Sequence, residues 1–375
     1  MTKSEKKETK IVLAGGGSGG HVIPLLSIWE ILKDEYDVLF VCSSGGKETA
    51  VLEARGVNFK GVWAGKLRRY FDWQNIVDLF RIPVGVLQSY FLLRDFKPAM
   101  VLAKGGYVSV PVGIAAWLLG IPIVTHESDA VMGLANRILA RFAKRIAVAF
   151  PVGRYQSKYE QKMIWTGMPV RQWKYGEKDK KEIKRKWGLD NGLPVVFITG
   201  GSQGAKKLNS YILDGLVDIL DYANVIHQTG ELDFARLERK KMSLGESKGK
   251  YLIYDFMIDD FDRAIILADI VVARAGSTLA EISNLAKPSV LIPLPTSASN
   301  HQFHNAKSFE DMGAAIMIEE RDFTKINLPT LLRSLIADEE RMEEMSSAAS
   351  TAMKTEGSAQ ILVDIIKSVI ENKEN

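Results

Sequence analysis

The 375-residue sequence contains a single cysteine, Cys42. That excludes a disulfide framework and a cysteine-based metal site, and it fits a reducing compartment. The first ten residues, MTKSEKKETK, carry no apolar core behind a basic start, so no secretory leader is expected. The longest uncharged stretch, Gly105 to Thr125, approaches membrane-span length. Pro111 and Pro122 divide it, with Gly113 and Gly120 between them, and it reads as loop, short buried helix and strand. The formal net charge of +4 is too small to imply a nucleic-acid partner. No convincing DxD metal motif is present, since Asp259-Asp260 adjoins an apolar helix and reads as structural.

What the chain does have is an ordinary globular composition, 46% hydrophobic and 25% charged, at a length that favours two domains. Short apolar runs alternate with helical stretches. Ile11–Ala14 reads as a strand, followed by a glycine loop and a helix near Pro24–Leu32. Val38–Cys42, Met100–Ala103 and Ile121–Thr125 continue as buried strands. The pattern restarts after WTGMPV at Trp165–Val170, where a hinge is expected. A charged segment, Glu177–Lys186, comes first. Strands at Pro194–Thr199, Val225–Gln228, Tyr251–Tyr254, Ile270–Ala273 and Val290–Pro293 follow. The expected fold class is α/β, two doubly wound domains with parallel sheets covered on both faces. Ligands in such sheets sit beyond the carboxyl ends of the strands, and two facing domains would hold one between them. Ser358–Ile370 reads as a terminal amphipathic helix.

Glycine loops punctuate the strand ends. Gly15 to His21 reads GGGSGGH and satisfies G-x-G-x-x-G between a strand and a helix. A dinucleotide site also needs an acid at the end of the second strand, and that strand ends Val41-Cys42-Ser43-Ser44. An NAD reading is therefore disfavoured, while close backbone approach to an anion remains. Lys104 to Pro111 reads KGGYVSVP, and Gly200 to Ala205 reads GGSQGA directly after a strand. The second loop offers backbone N–H groups and the Ser202 hydroxyl to a phosphate. In RAGSTLAE, Arg274 to Glu281, a helix opens after Gly276 and Ser277, and Glu281 can accept two hydrogen bonds from a ribose diol.

His21 follows the first glycine loop and titrates near neutrality, which makes it a candidate base or acceptor orienter. Asp129 and Glu127 are rival bases, and His126 reads as structural. His301 and His304 flank Gln302 at a spacing that makes a poor metal case. Lys66, Arg68, Arg69 and Arg81 interleave with Phe71, Trp73, Ile76, Leu79 and Phe80. Apolar anchors ringed by basic residues suit an anionic membrane surface, although an amphipathic helix facing a core has the same pattern. Arg137, Arg141 and Arg145 fall at i, i+4 and i+8, one face of a helix.

Together these segments resemble the MurG family of peptidoglycan glycosyltransferases, glycosyltransferase family 28. The anchors are GGGSGGHVIP (Gly15–Pro24), KGGYVSVP (Lys104–Pro111), HESD…GLANR (His126–Arg137), TGMPVR (Thr166–Arg171), GGSQGA (Gly200–Ala205), IDDF (Ile258–Phe261), RAGSTLAEI (Arg274–Ile282) and LPTSASNHQFHNAKSFE (Leu294–Glu310). The resemblance implies a GT-B fold of two Rossmann-like domains facing across a cleft. Residues 1–166 would bind the acceptor and contact the membrane. Residues 167–375 would bind the UDP-sugar, with the final helix packing back on the first domain. It implies an inverting transfer of N-acetylglucosamine from UDP-N-acetylglucosamine to the C4 hydroxyl of N-acetylmuramic acid in lipid I. No cofactor and no metal are implied.

By motif, the resemblance assigns Ser202 to the donor pyrophosphate, Ile258 to the uracil, Glu281 to the ribose and Gln302 to the transferred sugar. Ser277, Thr278 and Arg171 join the donor pocket. Ser18, Gly19 and Gly20 face the reacting centre, and Gly17, Ser18, Gly19, Gly105, Gly106 and Tyr107 the acceptor diphosphate. The implied partners are a UDP-sugar, a polyprenyl-pyrophosphate-linked muramyl peptide and the anionic inner face of the plasma membrane. Other cell-wall synthesis and division proteins are expected nearby. One departure bears on specificity. The family usually reads HEQN where this chain has His126-Glu127-Ser128-Asp129, so a carboxylate at Asp129 replaces an amide that helps hold the acetamido group. Another GT-B glycolipid synthase, such as a diacylglycerol glycosyltransferase, and a UDP-sugar 2-epimerase are the alternatives.

Overall fold

The computed structural model describes residues 9–16, 19–46, 48–65, 74–170, 176–201, 204–257 and 260–374. The chain divides into two compact units, Met1–Arg171 with Thr355–Asn375, and Gln172–Lys354. The first unit holds β1 (Lys10–Ala14), α1 (Gly19–Leu32), β2 (Asp37–Ser43), α2 (Glu48–Ala54), β3 (Phe59–Val62), α3 (Gln74–Phe96), β4 (Met100–Ala103), α4 (Ser109–Leu118), β5 (Ile123–Glu127), α5 (Leu134–Leu139), β6 (Arg145–Val148) and β7 (Met163–Trp165). The second holds α6 (Glu177–Trp187), β8 (Val195–Thr199), α7 (Lys206–Asp214), α8 (Leu216–Leu220), β9 (Asn224–Gln228), α9 (Glu231–Met242), β10 (Tyr251–Tyr254), α10 (Asp260–Leu267), β11 (Ile270–Ala273) and α11 (Thr278–Asn284). It continues with β12 (Ser289–Leu291), α12 (His301–Asp311), β13 (Ala315–Met317), α13 (Leu328–Ala337) and α14 (Glu339–Ala352). The terminal helix α15 (Ser358–Glu374) belongs to the first unit, where Leu362, Val363 and Ile366 enter the core beside Leu25 and Ile28 of α1.

Both sheets are parallel. The first runs β3-β2-β1-β4-β5-β6-β7 and the second β10-β9-β8-β11-β12-β13. Strand order therefore reverses between β1 and β4, and again between β8 and β11. These reversals are the topological switch points, where the loops leaving adjacent strands diverge and open a crevice. Ile11–Ala14, Met100–Ala103, Val195–Thr199 and Ile270–Ala273 are fully buried, as continuous apolar strands covered on both faces should be. All four glycine-bearing loops of the sequence leave strands at these two points.

Some local expectations change. The first helix opens at Gly19 and carries Pro24 inside it, so His21 lies in its first turn. The division falls between Arg171 and Gln172, after the 165–170 turn, and returns the last 21 residues to the first unit. Arg137, Arg141 and Arg145 do not share a helix face. The helix α5 ends at Leu139, Phe142 turns in to pack on Trp117 at 4.6 Å, and Arg145 opens β6. The uncharged Gly105–Thr125 stretch resolves into loop, α4 and the start of β5, and among the described residues no helix is long and apolar enough to cross a membrane.

Candidate functional site

At the first switch point, three loops converge. Gly105 and Gly106 turn with φ of +87° and +73°. Gly106 has a further constraint, because a Cβ there would sit 2.8 Å from the Gly16 carbonyl oxygen and 3.4 Å from the His21 ring. Loop and histidine are thus in direct apposition. The Ser109 hydroxyl donates to the Gly105 and Ala14 carbonyls at 2.6 and 3.2 Å and ties the start of α4 to both strand ends. The third loop leaves β5. Glu127 accepts from the Asp129 N–H at 3.0 Å, the Gly133 N–H at 2.8 Å and the Asn136 amide at 2.9 Å. Tyr155 donates its hydroxyl to the Asp129 carbonyl at 2.8 Å. The backbone of Asp129 is held from both sides while its side chain stays partly exposed.

Charge is buried here. Lys104 is 1% exposed and Glu127 4%. The Lys104 ammonium donates to the Ser128 hydroxyl and lies 3.8 Å from the Met168 sulfur. Burial lowers the lysine from its ordinary value, while Glu127 and Asp129 oppose that shift. Burial, with Asp129 beside it, raises the Glu127 carboxyl against the pull of its three donors. His126 donates from Nε2 to the Gly167 carbonyl at 2.9 Å; burial and the Lys104 cation hold it well below the usual histidine range, so its ring is neutral. This makes His126 structural. The Glu127 oxygens are occupied by their three donors and enclosed.

At the second switch point, the loop after β8 passes against the loop after β9. A Cβ at Gly204 would meet the Thr229 carbonyl oxygen at 2.5 Å, so only glycine fits there. The loop leads into α7, whose first N–H groups have no partner inside the helix. Beneath it, Asn209 donates to the Thr229 carbonyl and to Asp233 at 2.9 and 2.8 Å, and fixes the spacing of the two loops.

The loop after β11 carries Gly276 and Ser277 into α11, and Asn305 of α12 holds it through the Ala275 carbonyl at 3.0 Å. Gln302 of α12 accepts the Leu294 N–H on Oε1 at 2.9 Å. Its amide orientation is thereby set, and Nε2 lies 3.9 Å from where a Gly276 Cβ would be. Glu281, in the first turn of α11, has its carboxyl pushed up to about 7 by burial, with Asp262 adding to the shift. Arg274 anchors this corner. It donates to the Ile292 and Pro293 carbonyls and pairs with Glu320 at 2.6 Å, both side chains nearly enclosed.

Comparison with known proteins places this geometry. Residues 11–148 match the glycosyltransferase family 28 N-terminal domain, and residues 195–361 match the family 28 C-terminal domain. A Bacillus anthracis protein named UDP-N-acetylglucosamine--N-acetylmuramyl-(pentapeptide) pyrophosphoryl-undecaprenol N-acetylglucosamine transferase 2 is 37% identical over 365 residues, 96% of this chain and 99% of that protein. The chain belongs to glycosyltransferase family 28. A solved MurG of Acinetobacter baumannii superposes with a TM-score of 0.71 at 26% identity, covering 96% of this chain and 99% of that one. A UDP-N-acetylglucosamine 2-epimerase of Neisseria meningitidis, solved with UDP-N-acetylglucosamine bound, gives 0.68 at 14% identity, with 96% and 100% covered. At that identity the likeness is one of fold.

The family 28 motifs fall into two groups. Gly19, Gly20, His21, Gly105, Gly106, Tyr107 and Asp129 lie at the first switch point. Ser277, Thr278, Glu281 and Gln302 lie at the second. Gly17, Ser18, Arg171, Ser202 and Ile258 lie outside the described residues, as do Lys66, Arg68, Arg69, Phe71 and Trp73 and the side chains of Ile76, Leu79 and Phe80. Other exposed apolar side chains occur on the packed helices α3, α4 and α5: Leu87, Phe91, Trp117, Leu118, Leu134 and Ile138. Leu87 and Phe91 fall in the basic and apolar Lys66–Lys97 stretch read from sequence, in LQSYFLLRDF; sequence reading missed those of α4 and α5, and it missed Lys104, Tyr155 and Arg274 as parts of a site. The available signal for Lys104 was its place, a lysine ending the apolar run MVLA.

Proposed function

We infer that the chain transfers N-acetylglucosamine from UDP-N-acetylglucosamine to the C4 hydroxyl of N-acetylmuramic acid in lipid I, with inversion, forming lipid II for peptidoglycan synthesis. The observation that carries this reading is the 37% identity, over 96% of the chain, to a relative named for that transfer. In the proposed reaction the acceptor oxygen bonds to the anomeric carbon, the bond from that carbon to UDP breaks, and UDP leaves with the electron pair. His21, set against the Gly105–Gly106 turn, takes the hydroxyl proton or orients the acceptor, with Asp129 as the rival base. The acceptor diphosphate is assigned to Gly17–Gly20 and Gly105–Tyr107.

The second unit is the donor half. Charge on the departing UDP is met by N–H groups of the Gly200–Gly204 loop and the start of α7, with Ser202, Ser277 and Thr278. Glu281 holds the ribose diol, Ile258 the uracil and Gln302 the sugar through its Nε2 amide. The reading calls for no metal ion. The exposed apolar residues of α3–α5, with Arg81, Arg137 and Arg141 exposed on α3 and around α5, suit the anionic cytoplasmic face of the plasma membrane. A chain working there would meet other cell-wall synthesis and division proteins.

The test supplies radiolabelled UDP-N-acetylglucosamine and lipid I to the purified chain and separates the lipid products. Labelled lipid II is expected. Product formed only from UDP-glucose would move the reading to another glycolipid synthase. Conversion of the donor to its 2-epimer with no acceptor present would move it to an epimerase.

A further inference from the structure

The segments that follow β8, β11, β12 and β13 are tied together through one buried ion pair. Arg274 directly follows β11. Its Nη1 donates to the Ile292 and Pro293 carbonyls after β12, at 3.0 and 3.2 Å. Its Nη2 donates to Oε1 of Glu320 at 2.6 Å, in the turn Glu320–Asp322 that follows β13. The other oxygen of that carboxylate lies 3.2 Å from the Lys207 ammonium, in the first turn of α7. One carboxylate therefore accepts from both sides of the second switch point, with one oxygen for each. Arg274 and Glu320 are nearly enclosed, with 8% and 7% of their side chains exposed. A buried pair is often no more stabilising than apolar side chains of the same volume. Its charge-assisted hydrogen bonds fix direction and distance instead. The segment after β13 grips α7 a second time. Tyr211 lies one turn beyond Lys207 on the same helix face. Its ring stacks on Phe323 with centroids 3.9 Å apart, and its hydroxyl donates to the Ile326 carbonyl at 2.7 Å. Residues 320–326 thus run as a strap along α7, with Glu320 at the end nearer the Gly200–Gly204 loop.

We propose that Glu320 is a positioning residue that sets the spacing between the start of α7 and the Gly276–Thr278 corner that opens α11. The proposal rests on the reading of the second unit as the donor half. A nucleoside diphosphate would engage both places at once, with its diphosphate at α7 and its ribose on Glu281 of α11. Such a ligand binds more tightly when the two are already at the right separation, because it has less ordering to impose. Uridine makes the ribose and uracil contacts but brings no diphosphate to α7, so the spacing matters little to it. Arg274 extends the same brace toward the sugar. The carbonyls it holds lead to Leu294, whose N–H donates to Gln302 Oε1 at 2.9 Å. Glu320 acts through Arg274 and Lys207 and contacts no ligand itself.

The experiment measures UDP binding to the full chain by calorimetry, and uridine binding by its competition with UDP. A wild type that bound no UDP would overturn the donor reading and this proposal with it; only the differences between variants test Glu320. Glu320→Ala should weaken UDP by about threefold to thirtyfold and change uridine by less than about twofold. Lys207→Met should weaken UDP in the same direction, and Lys207→Arg, which can still pair, should stay within about twofold of the wild type. Adding Lys207→Met to Glu320→Ala should cost less than about a further twofold, because the lysine then has no carboxylate to reach. Equal losses for UDP and uridine in Glu320→Ala would mark a general loosening of the fold and overturn the proposal. So would an unchanged UDP affinity, or losses that multiply in the double variant, the mark of a lysine acting on the diphosphate directly. If Glu320→Ala does not fold, Glu320→Gln takes its place in each comparison, since it keeps an oxygen for Arg274 and loses the one for Lys207, and the same outcomes decide.

Discussion

In the first unit the strand ends enclose Lys104, His126 and Glu127, a cation and a carboxylate among them. In the second, the end of β9 encloses His227, which is neutral and fully partnered. Its Nδ1 accepts from the Tyr251 hydroxyl at 3.0 Å, and Nε2 faces Asn209 Oδ1 at 3.1 Å. That tautomer follows because the Asn209 amide group already donates to Thr229 and Asp233. Burial pushes His227 down to about 3, so it carries no charge at neutral pH. One polar core fixes the shape of a loop, while the other maintains charge beside a loop. The difference matches the chemistry proposed for each half. Holding a nucleotide needs glycine-lined backbone at a set spacing. Orienting an acceptor hydroxyl needs polar and charged groups held at fixed positions beside the loop.

The comparison breaks if a change in one unit disturbs the other's ligand. The largest effect is expected from His21→Ala, which should lower kcat about 10²–10⁴-fold while UDP affinity, read by calorimetry, stays at the wild-type value. An equal loss of UDP affinity would merge the two half-sites. Next is Glu281→Ala. Removing a charged acceptor from the ribose diol should weaken UDP binding by about 1.5–3 kcal/mol, roughly tenfold to over a hundredfold, with the KM for lipid I unchanged.

Glu281 also gives the comparison a sign. Its carboxyl sits near 7 when unliganded, and a diol donating to it favours the ionised form, so binding releases a proton. UDP affinity should therefore rise as pH increases through about 7 and level off above, and Glu281→Gln should flatten that rise. For stability the same shift runs the other way. The raised carboxyl contributes fully below its unfolded value of about 4.5 and the contribution is lost as pH climbs through about 7. The smallest effect on soluble chemistry is expected at α3 and α4, where Leu87→Ser, Phe91→Ser and Trp117→Ser combined should weaken binding to anionic vesicles and leave UDP affinity alone. Unaltered vesicle binding would remove that face from the membrane assignment.

Much of this architecture is legible in sequence because glycine is required where backbone turns sharply or approaches closely. The loops at Gly15, Gly105, Gly200 and Gly276 mark both switch points before any strand order is known. Strands β3, β6, β7 and β13 escape because they are three or four residues long and in part exposed, as in FKGV and MIW, so they lack the apolar run that marks their neighbours. The arginines at 137, 141 and 145 mislead because helical spacing carries no information about where α5 stops. The Lys104 cluster is illegible for another reason. Residues 104, 127, 129, 155 and 168 come from strand ends far apart in the chain, and only the order β1-β4-β5-β6-β7 brings them together. Lysine and glutamate in sequence point to solvent by default; their burial is a property of the fold.

Labour divides between the units, with nucleotide recognition proposed for the second and acceptor chemistry for the first. Crystals soaked with UDP test it most directly. Diphosphate density is expected along the Gly200–Gly204 loop and the start of α7, with the ribose on Glu281. Nucleotide bound instead along Gly15–Gly20 at the end of β1 would contradict it.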